Sequence, residues 1–400
     1  MKPLPLNLVI IGNGVAGITA ALELARRKTG EIDVFTKEPY HYYYRPRLPS
    51  FIAGELSEKE LFPHEPSWYE NAGIKIHLST PVVRLFPERK AIVTADGREY
   101  SYRKLLLATG SLPLLPPLEG IDREGVFTLR TLDDARAIKS YSEQCERAVI
   151  LGGGLLGLEA ARALRVRGLS VVVLERASYL LPRQLDEEGA RVLQKLVENM
   201  GIRVEVSAEA RAILGNGKVE GVVLSDGRKF QAQLVLITIG VKCNAGLARE
   251  AGLMVEGGIL VDERMATSAP DIYAAGDVAY FRGRSWGIIP VALAQAQVAA
   301  ASMAGEEATY REVVPSNSLK IMDIEVTSAG EVNLPENQGI HLRFSRPEAG
   351  IYRKIVLRDG TAVGCVSIGD RKWGAMVEKL IKDKTTMAFE EALKLLEGGA

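Results

Sequence analysis

Leu8-Val9-Ile10-Ile11-Gly12-Asn13-Gly14-Val15-Ala16-Gly17 opens the first regular stretch of the chain. Ala148-Val149-Ile150-Leu151-Gly152-Gly153-Gly154-Leu155-Leu156-Gly157 repeats its plan about 140 residues later. In each copy a continuous apolar run ends in G-x-G-x-x-G and passes into a helical pattern, predicted to reach Lys28 in the first copy and about Arg167 in the second. A second apolar run follows each helix, Ile32-Asp33-Val34-Phe35 and Val171-Val172-Val173-Leu174. Uninterrupted apolar strands of this kind belong to parallel sheets covered on both faces. The glycine spacing has a mechanical reading. The first glycine makes the tight turn, the second lets the backbone approach a pyrophosphate, and the third lets helix and strand pack closely. The helix N-terminus then offers unpaired N–H groups and a partial positive charge to the phosphates. One such motif is weak evidence, but two copies, each between a strand and a helix, predict two dinucleotide sites.

The duplication organises the remainder. Ala91-Ile92-Val93-Thr94 before Asp96-Gly97 reads as one arm of a hairpin. Leu105 to Gly110 and Leu234 to Gly240 are buried strands that both end in glycine, and Ile272-Tyr273-Ala274-Ala275-Gly276-Asp277 is a third of the kind. The proline-rich stretch Pro113 to Pro117 marks a crossing between domains, and Pro315 begins a tail of short strands with one helix near Ala375–Lys384. The expected fold is α/β, with two Rossmann-like dinucleotide-binding domains of the three-layer ββα type and a small C-terminal α+β domain. The boundaries place one discontinuous domain at 1–115 and 241–314, a second at 116–240, and the tail at 315–400.

Composition narrows the class. Lys+Arg and Asp+Glu each number 50 in 400 residues, so the formal charge is zero, which argues against a nucleic-acid binder. Cys145, Cys243 and Cys365 form no C-x-x-C pair and no disulfide framework, and a reducing cytoplasm is expected. Met1-Lys2-Pro3-Leu4-Pro5 has no signal-peptide layout. No apolar run reaches the ~18 residues that span a bilayer. The nearest, Ile288 to Ala304, contains Gln295 and Gln297 and reads as a buried helix, so no membrane association is expected. His41, His64, His77 and His341 show no metal-ligand spacing, and no metal is expected.

The residue about 20 positions past each glycine turn tests the nucleotide reading. In the second copy Glu175 ends the second strand, where a ribose diol favours a carboxylate, so NADH is favoured. Arg176 and Arg183 keep NADPH open, since an arginine can pair with a 2′-phosphate; each also reads as a solvated charge. In the first copy the strand-end position is Thr36, followed by Lys37 and Glu38. Glu38 reaches a ribose if the turn curls back.

With these motifs in place, the chain resembles the two-dinucleotide-binding-domain flavoproteins, the pyridine nucleotide–disulfide oxidoreductase superfamily. The resemblance is strong over roughly residues 5–310 and looser in the tail. It rests on Gly12–Gly17, Ala108-Thr109-Gly110, Gly152–Gly157 and Ala274-Ala275-Gly276-Asp277. It implies FAD in the first site, held by Gly12, Gly14, Val15, Ala16, Gly17, Glu38, Ala108, Thr109, Gly110 and Gly276, with Asp277 on the ribityl chain. The helix after Pro290 would lie beneath the flavin. It implies NAD(P)H in the second site, on Gly152, Gly154, Leu155, Gly157, Glu175 and Gly240. The loop Tyr42-Tyr43-Tyr44-Arg45-Pro46-Arg47-Leu48-Pro49 is similar to the Y-x-R-P-x-L loop of NADH:rubredoxin reductases, oxygenase ferredoxin reductases and the flavin part of nitrite reductases. It assigns Arg45 and Pro46 to FAD contact. Some relatives carry a lysine just after this loop; Pro49-Ser50-Phe51 does not.

The resemblance also shows what is missing. Disulfide, coenzyme A disulfide and peroxide reductases of the superfamily need cysteine beside the flavin, and residues 36–60 contain none. Cys145, read as helical, and Cys365, on a tail strand, read as packing residues; Cys243 stands where relatives carry proline. No catalytic side chain is therefore nominated, and the chemistry is expected to be the flavin's. The implied activity is electron transfer from NADH through FAD to a small redox protein, rubredoxin or a ferredoxin-like carrier. The alternatives are the reductase component of a nitrite reductase, an NADH oxidase, or a non-catalytic redox-sensing flavoprotein. Arg45, Arg47, Arg282, Arg284, Arg311, Arg343 and Arg346 would form a basic docking rim if the fold gathers them. The last helix, with Lys379, Lys382 and Lys384, does not read as a membrane-binding amphipathic segment, and both monomer and homodimer are open.

Overall fold

Leu8–Ile11 lies in the middle of a five-stranded parallel sheet, between Lys104–Leu107 and Ile32–Phe35, with Ile272–Ala274 and Ile74–His77 outermost. Alternate residues of this strand enter different cores, as the strand's period of two dictates. Leu8 and Ile10 pack with the helices Val15–Arg26 and Ile289–Ala304. Val9 and Ile11 pack with Leu85, Ile92 and Tyr100 of a second, four-stranded sheet. Sheet, sheet and helices thus form three layers. The computed structural model describes residues 4–5, 7–312, 316–321 and 324–398. Pro315, where the tail was expected to begin, lies outside the described residues.

The chain divides into two compact units. The first contains Met1–Arg47, Ser57–Leu112 and Val241–Val313; the second contains Leu48–Leu56, Pro113–Gly240 and Val314–Ala400. Leu48–Leu56 leaves the stretch that the sequence reading kept in the first domain. Its helix Leu48–Ala53 packs on the helices Leu155–Val166 and Leu132–Tyr141. Glu55 meets Arg162 at 2.6 Å, and Lys139 lies 4.3 Å from the Phe51 ring centroid.

The second unit repeats the first architecture. Arg147–Leu151 is central in a parallel sheet, between Leu234–Ile237 and Ser170–Leu174, with Val126–Thr128 and Ile202–Glu205 outermost. Val149 and Leu151 pack against Val222, Leu224 and Phe230 of a three-stranded antiparallel sheet. The tail adds an antiparallel sheet in the order Ser316–Ile321, Ile324–Gly330, Thr361–Ile368, Ile351–Arg358, Ile340–Arg346. It has its own core of Ile355, Leu357, Cys365, Trp373 and Val377, while its contacts group it with the second unit.

Register places the turns. Ile11 pairs with both Phe35 and Leu107, and Ala274 pairs with Leu107. The segments after these strands, Gly12–Gly17, Ala108–Gly110 and Ala275–Asp277, therefore leave the sheet at one carboxyl edge. In the second unit Leu151 pairs with Leu174 and Ile237, which does the same for Gly152–Gly157, Glu175 and Thr238–Gly240.

Several boundaries differ from expectation. The first fingerprint helix ends at Arg26, and Lys28 takes a left-handed φ of 53°. Cys145 is not helical: it follows the 3-10 turn Ser142–Gln144 in extended backbone. The tail has two helices among the described residues, Arg371–Lys382 and Phe389–Glu397. Arg371–Lys382 is amphipathic, but its apolar side, Trp373, Val377 and Ile381, is buried in the tail's own core. Ile289–Ala304 is a helix with Val291, Ala292, Ala296, Ala299 and Ala300 buried. Among the described residues no helix is long and apolar enough to cross a membrane.

Candidate functional site

The three glycines of each fingerprint do three different jobs. A Cβ on Gly12, whose φ is +111°, would sit 2.2 Å from the Ala108 carbonyl oxygen. A Cβ on Gly17 would sit 1.8 Å from the Gly12 oxygen. Gly14 has nothing within 4 Å of the same position. The second copy repeats this: Gly152 abuts the Thr238 oxygen at 2.7 Å, Gly157 abuts the Gly152 oxygen at 2.0 Å, and Gly154 faces open space. The first and third glycines are demanded by the protein's own packing. The second is not, and the space it leaves lies at a helix N-terminus.

Those N-termini carry no side-chain cap. Six helices of ten residues or more occur among the described residues. Leu132–Tyr141, Glu187–Asn199 and Arg371–Lys382 are capped by Thr131, Asp186 and Asp370. Val15–Arg26, Leu155–Val166 and Ile289–Ala304 have no side-chain cap bond and no acidic residue in the first turn. Uncapped first turns leave orphan N–H donors that a ligand phosphate satisfies. These three helices are the ones the sequence assigned to cofactor contact, Ile289–Ala304 with Pro290 in its first turn.

Around the first cradle, side chains from distant positions fix the turns. Asn13 is buried and donates to the Tyr40 carbonyl at 2.8 Å. Thr109 donates to the Asn244 carbonyl at 2.8 Å, and the Asn244 amide returns a bond to the Thr109 carbonyl at 3.3 Å. Ser111 Oγ donates to Asp277 Oδ2 at 2.7 Å. The Gly276 N–H donates to buried Gln295 at 3.0 Å, which ties the Ala275–Asp277 turn to the Ile289–Ala304 helix. Gly276 itself has φ +82° and faces the Ala16 Cβ. Glu38 accepts from Tyr43 Oη at 2.6 Å and Arg45 Nη2 at 2.7 Å. A carboxylate has about four lone-pair sites, so these bonds orient Glu38 and leave room for a ribose hydroxyl. Asp277 acts electrostatically on the same Arg45 guanidinium. Pro46 is exposed within the 3-10 turn Arg45–Arg47.

In the second cradle Glu175 Oε2 accepts from the Gly153 N–H at 2.7 Å and Oε1 from the Ala177 N–H at 2.7 Å. The carboxylate is thus anchored at the glycine turn, each oxygen accepting one of these two backbone N–H groups. Thr238 Oγ1 bonds the Leu151 and Gly152 carbonyls at 3.1 and 3.2 Å, and Gly240 has φ +124° with open space at its Cβ position. Arg176 and Arg183 are exposed.

Sequence reading missed Ser111, Gln295 and Tyr43. Gln295 left a signal, a polar residue inside an apolar helix, and Tyr43 is the tyrosine of the Y-x-R-P-x-L loop, whereas Ser111 left none. Several arginines of the expected docking rim are engaged by their own neighbours. Arg343 is committed to Glu336 at 2.6 Å and Asp186 at 3.3 Å, and Arg45 to Glu38. Arg47 donates to the Glu60 carbonyl at 3.3 Å, and Arg346 lies over Phe344 in the second unit. Arg282 and Arg284 share one tight turn, closed by the Phe281–Arg284 bridge, and stack over Phe281 and Trp286. No group of three or more potential metal ligands occurs among the described residues. The three cysteines are free: Cys365 is buried, its thiol pushed up to about 12 by desolvation, while burial also raises Cys145 and Cys243. Cys243 Sγ lies 2.9 Å from the Asp277 carbonyl.

Fold and cradles together define an α/β protein with a place for two dinucleotides. Residues 6–303 match the pyridine nucleotide-disulphide oxidoreductase family, and residues 315–385 match the rubredoxin NAD+ reductase C-terminal domain. The chain belongs to the pyridine nucleotide-disulphide oxidoreductase family. That family uses FAD and NAD(P)H. The chain is 35% identical over 394 residues to nitrite reductase [NAD(P)H] of Bacillus subtilis, covering 98% of this chain and 49% of that protein. It is 31% identical over 375 residues to NADH-rubredoxin oxidoreductase of Clostridium acetobutylicum, covering 94% of each. Among solved structures, the covalent putidaredoxin reductase–putidaredoxin complex superposes with a TM-score of 0.88 at 26% identity, over 98% of both chains. The chain spans about half the length of the Bacillus subtilis relatives that it matches.

Proposed function

We propose that the chain takes electrons from NADH and delivers them to a small electron-carrier protein such as rubredoxin. In this reading the first unit holds FAD and the second holds NADH. The observation that carries it is the pairing of open glycine cradles with uncapped helix N-termini, twice over, in a chain whose cysteines are single. Bound FAD supplies the chemistry, accepting electrons in a pair and giving them up singly. Gly12, Gly14, Val15, Ala16 and Gly17 carry the FAD pyrophosphate; Ala108, Thr109, Gly110, Arg45, Pro46, Gly276, Asp277 and Pro290 line the rest of the site. Glu38, oriented by Tyr43 and Arg45, takes the ribose. Gly152, Gly154, Leu155, Gly157 and Gly240 hold the nicotinamide dinucleotide, with Glu175 on its ribose diol. The 31% identity to a rubredoxin oxidoreductase over nearly its whole length supports the acceptor, as does the tail's match to the rubredoxin reductase domain.

The test is an anaerobic titration with NADH and with NADPH, followed by stopped-flow mixing of the reduced enzyme with rubredoxin. Bleaching by NADH and reoxidation within the turnover time support the proposal. Bleaching without reoxidation removes rubredoxin as acceptor. A second reading, the reductase part of a nitrite reductase, is favoured by the 35% identity to that enzyme. It predicts reoxidation by a siroheme partner instead. Rapid NADH consumption in air without any carrier points to an oxidase.

Two substitutions probe the assignments. Glu175→Ala removes the ribose acceptor and is expected to raise KM for NADH by about 10- to 100-fold, the value of a lost charged hydrogen bond. An unchanged KM withdraws Glu175. Reversing the exposed turn charges with Arg282→Glu and Arg284→Glu is expected to slow reoxidation by an acidic carrier about tenfold at low salt, with the difference shrinking as salt rises. NADH bleaching rates should not change; equal carrier rates for both proteins remove that turn from the docking surface.

A further inference from the structure

The segment from Arg176 to Asp186 connects Glu175 to the helix Glu187–Asn199, and its Leu180 lies against the second glycine turn, with Cδ2 2.5 Å from where a Cβ on Gly153 would stand. Its near end is fixed locally: the Ala177 N–H donates to the Glu175 carboxylate at 2.7 Å, and the Ser207 N–H donates to the Ala177 carbonyl at 2.8 Å. Its far end is held from elsewhere. Asn333 Nδ2 donates to the Pro182 and Leu185 carbonyls, each at 3.0 Å. Ser328 Oγ donates to the Gln184 carbonyl at 2.6 Å. Asp186 Oδ2 accepts from Tyr352 Oη at 2.7 Å, Lys354 Nζ at 2.8 Å and Arg343 Nε at 3.3 Å. All five donors belong to the tail. Lys354 is 1% exposed, and Asp186 also caps Glu187–Asn199 through Gly189. Between the two ends Leu181 is buried with a left-handed φ of 53°, a backbone state that a non-glycine residue holds only when its surroundings impose it.

We propose that the C-terminal domain acts as a positioning element for the nicotinamide dinucleotide, holding the 176–186 segment through Lys354, Tyr352 and Asn333. Lys354 and Asn333 are positioning residues. They touch no cofactor, and they act on affinity through the segment that follows Glu175. Arg176 and Arg183 ride on the same segment, so its fixed shape also sets how far their charge reaches a ribose 2′-position. This inference rests on the reading that Gly152–Gly157 and Glu175 hold the dinucleotide. It gives the tail a function separate from any carrier contact.

The test uses the flavin-loaded protein and three variants: Lys354→Met, Lys354→Arg and Asn333→Ala. Two readouts are taken, hydrogen exchange of the amides from 176 to 186 and calorimetric titration with NAD+. Lys354→Met and Asn333→Ala are expected to speed exchange in that segment and to weaken NAD+ binding about 3- to 30-fold. Flavin content should be unchanged, and Lys354→Arg should restore both readouts. Asn333 is exposed and lies outside the buried ion cluster, so its variant reports even if Lys354→Met does not fold. Faster exchange with unchanged affinity overturns the proposal, as does unchanged exchange. Failure of the underlying site reading looks different: NAD+ would then protect neither the 152–157 turn nor Glu175 in the unaltered protein.

Discussion

Gly14→Val is expected to give a protein that folds with unchanged thermal stability and purifies without flavin, whereas Gly12→Ala and Gly17→Ala lose stability in the apoprotein itself. The three positions belong to one motif, yet their surroundings differ. Gly14 has φ −72°, open to any residue, and nothing within 4 Å of its Cβ position. A Cβ there has no protein atom within 4 Å, and the valine methyls extend from it into the space before the uncapped helix. A phosphate displaced from two N–H donors loses about 1.5–3 kcal/mol for each charged hydrogen bond, or about 150- to 20,000-fold in affinity for the two together. At Gly12 the side chain overlaps the Ala108 carbonyl at a φ of +111°. Forcing that backbone state costs roughly 1–3 kcal/mol, and the overlap costs about as much again. Circular dichroism melts of the apoproteins with flavin absorbance of the purified samples separate the two classes. A Gly14→Val protein that keeps its flavin removes the first cradle from FAD binding. One that loses stability in the apo form shows that the space is part of the fold.

The glycine logic was legible in the sequence because it is local: a strand, a turn and a helix lie within ten residues. The layering was legible too, since Leu8 to Ile11 is apolar at every position and so needs cover on both faces. What escaped depends on pairs far apart in the chain. Ser111 meets Asp277 across 166 positions, and nothing near either residue marks the partner. Gln295 was visible as an oddity in an apolar helix, but its bond to Gly276 was not. The stretch Leu48–Leu56 reads as the continuation of the Tyr42–Arg47 loop, and only its packing on Leu155–Val166 assigns it to the second unit. The docking rim was read from charge alone, and charge does not reveal that Arg343 and Arg45 already hold carboxylates. The last helix, Phe389–Glu397, was overlooked because its nine residues show an apolar side only against a tail core not yet known.

Asp186→Ala is expected to lower the unfolding free energy by about 3–5 kcal/mol, the usual cost of stranding a buried partner of an ion pair. Lys354 is that partner, 1% exposed and 2.8 Å from Asp186, and the variant leaves its charge without the carboxylate it now meets. The same substitution removes the cap of Glu187–Asn199, a loss of about 1 kcal/mol that falls within this range. The acid dependence gives an independent check. Burial alone would raise the Asp186 carboxyl; hydrogen bonds from Lys354 and Tyr352, with the Lys354 charge, outweigh it and hold the group below the ordinary value of 3.8. A carboxyl depressed on folding contributes stability that is complete well above its unfolded pKa and is lost as pH falls through its folded one. Urea unfolding at successively lower pH should therefore show the unaltered protein losing stability in this acid range. Asp186→Ala, already without the interaction, should show a shallower decline. Parallel acid slopes would mean that the ion pair is not what Asp186 contributes. Asp186→Asn separates charge from geometry, because the amide oxygen can still cap the helix while the Lys354 charge goes unanswered. Its stability should lie between the other two, nearer to Asp186→Ala, since the buried charge outweighs the cap.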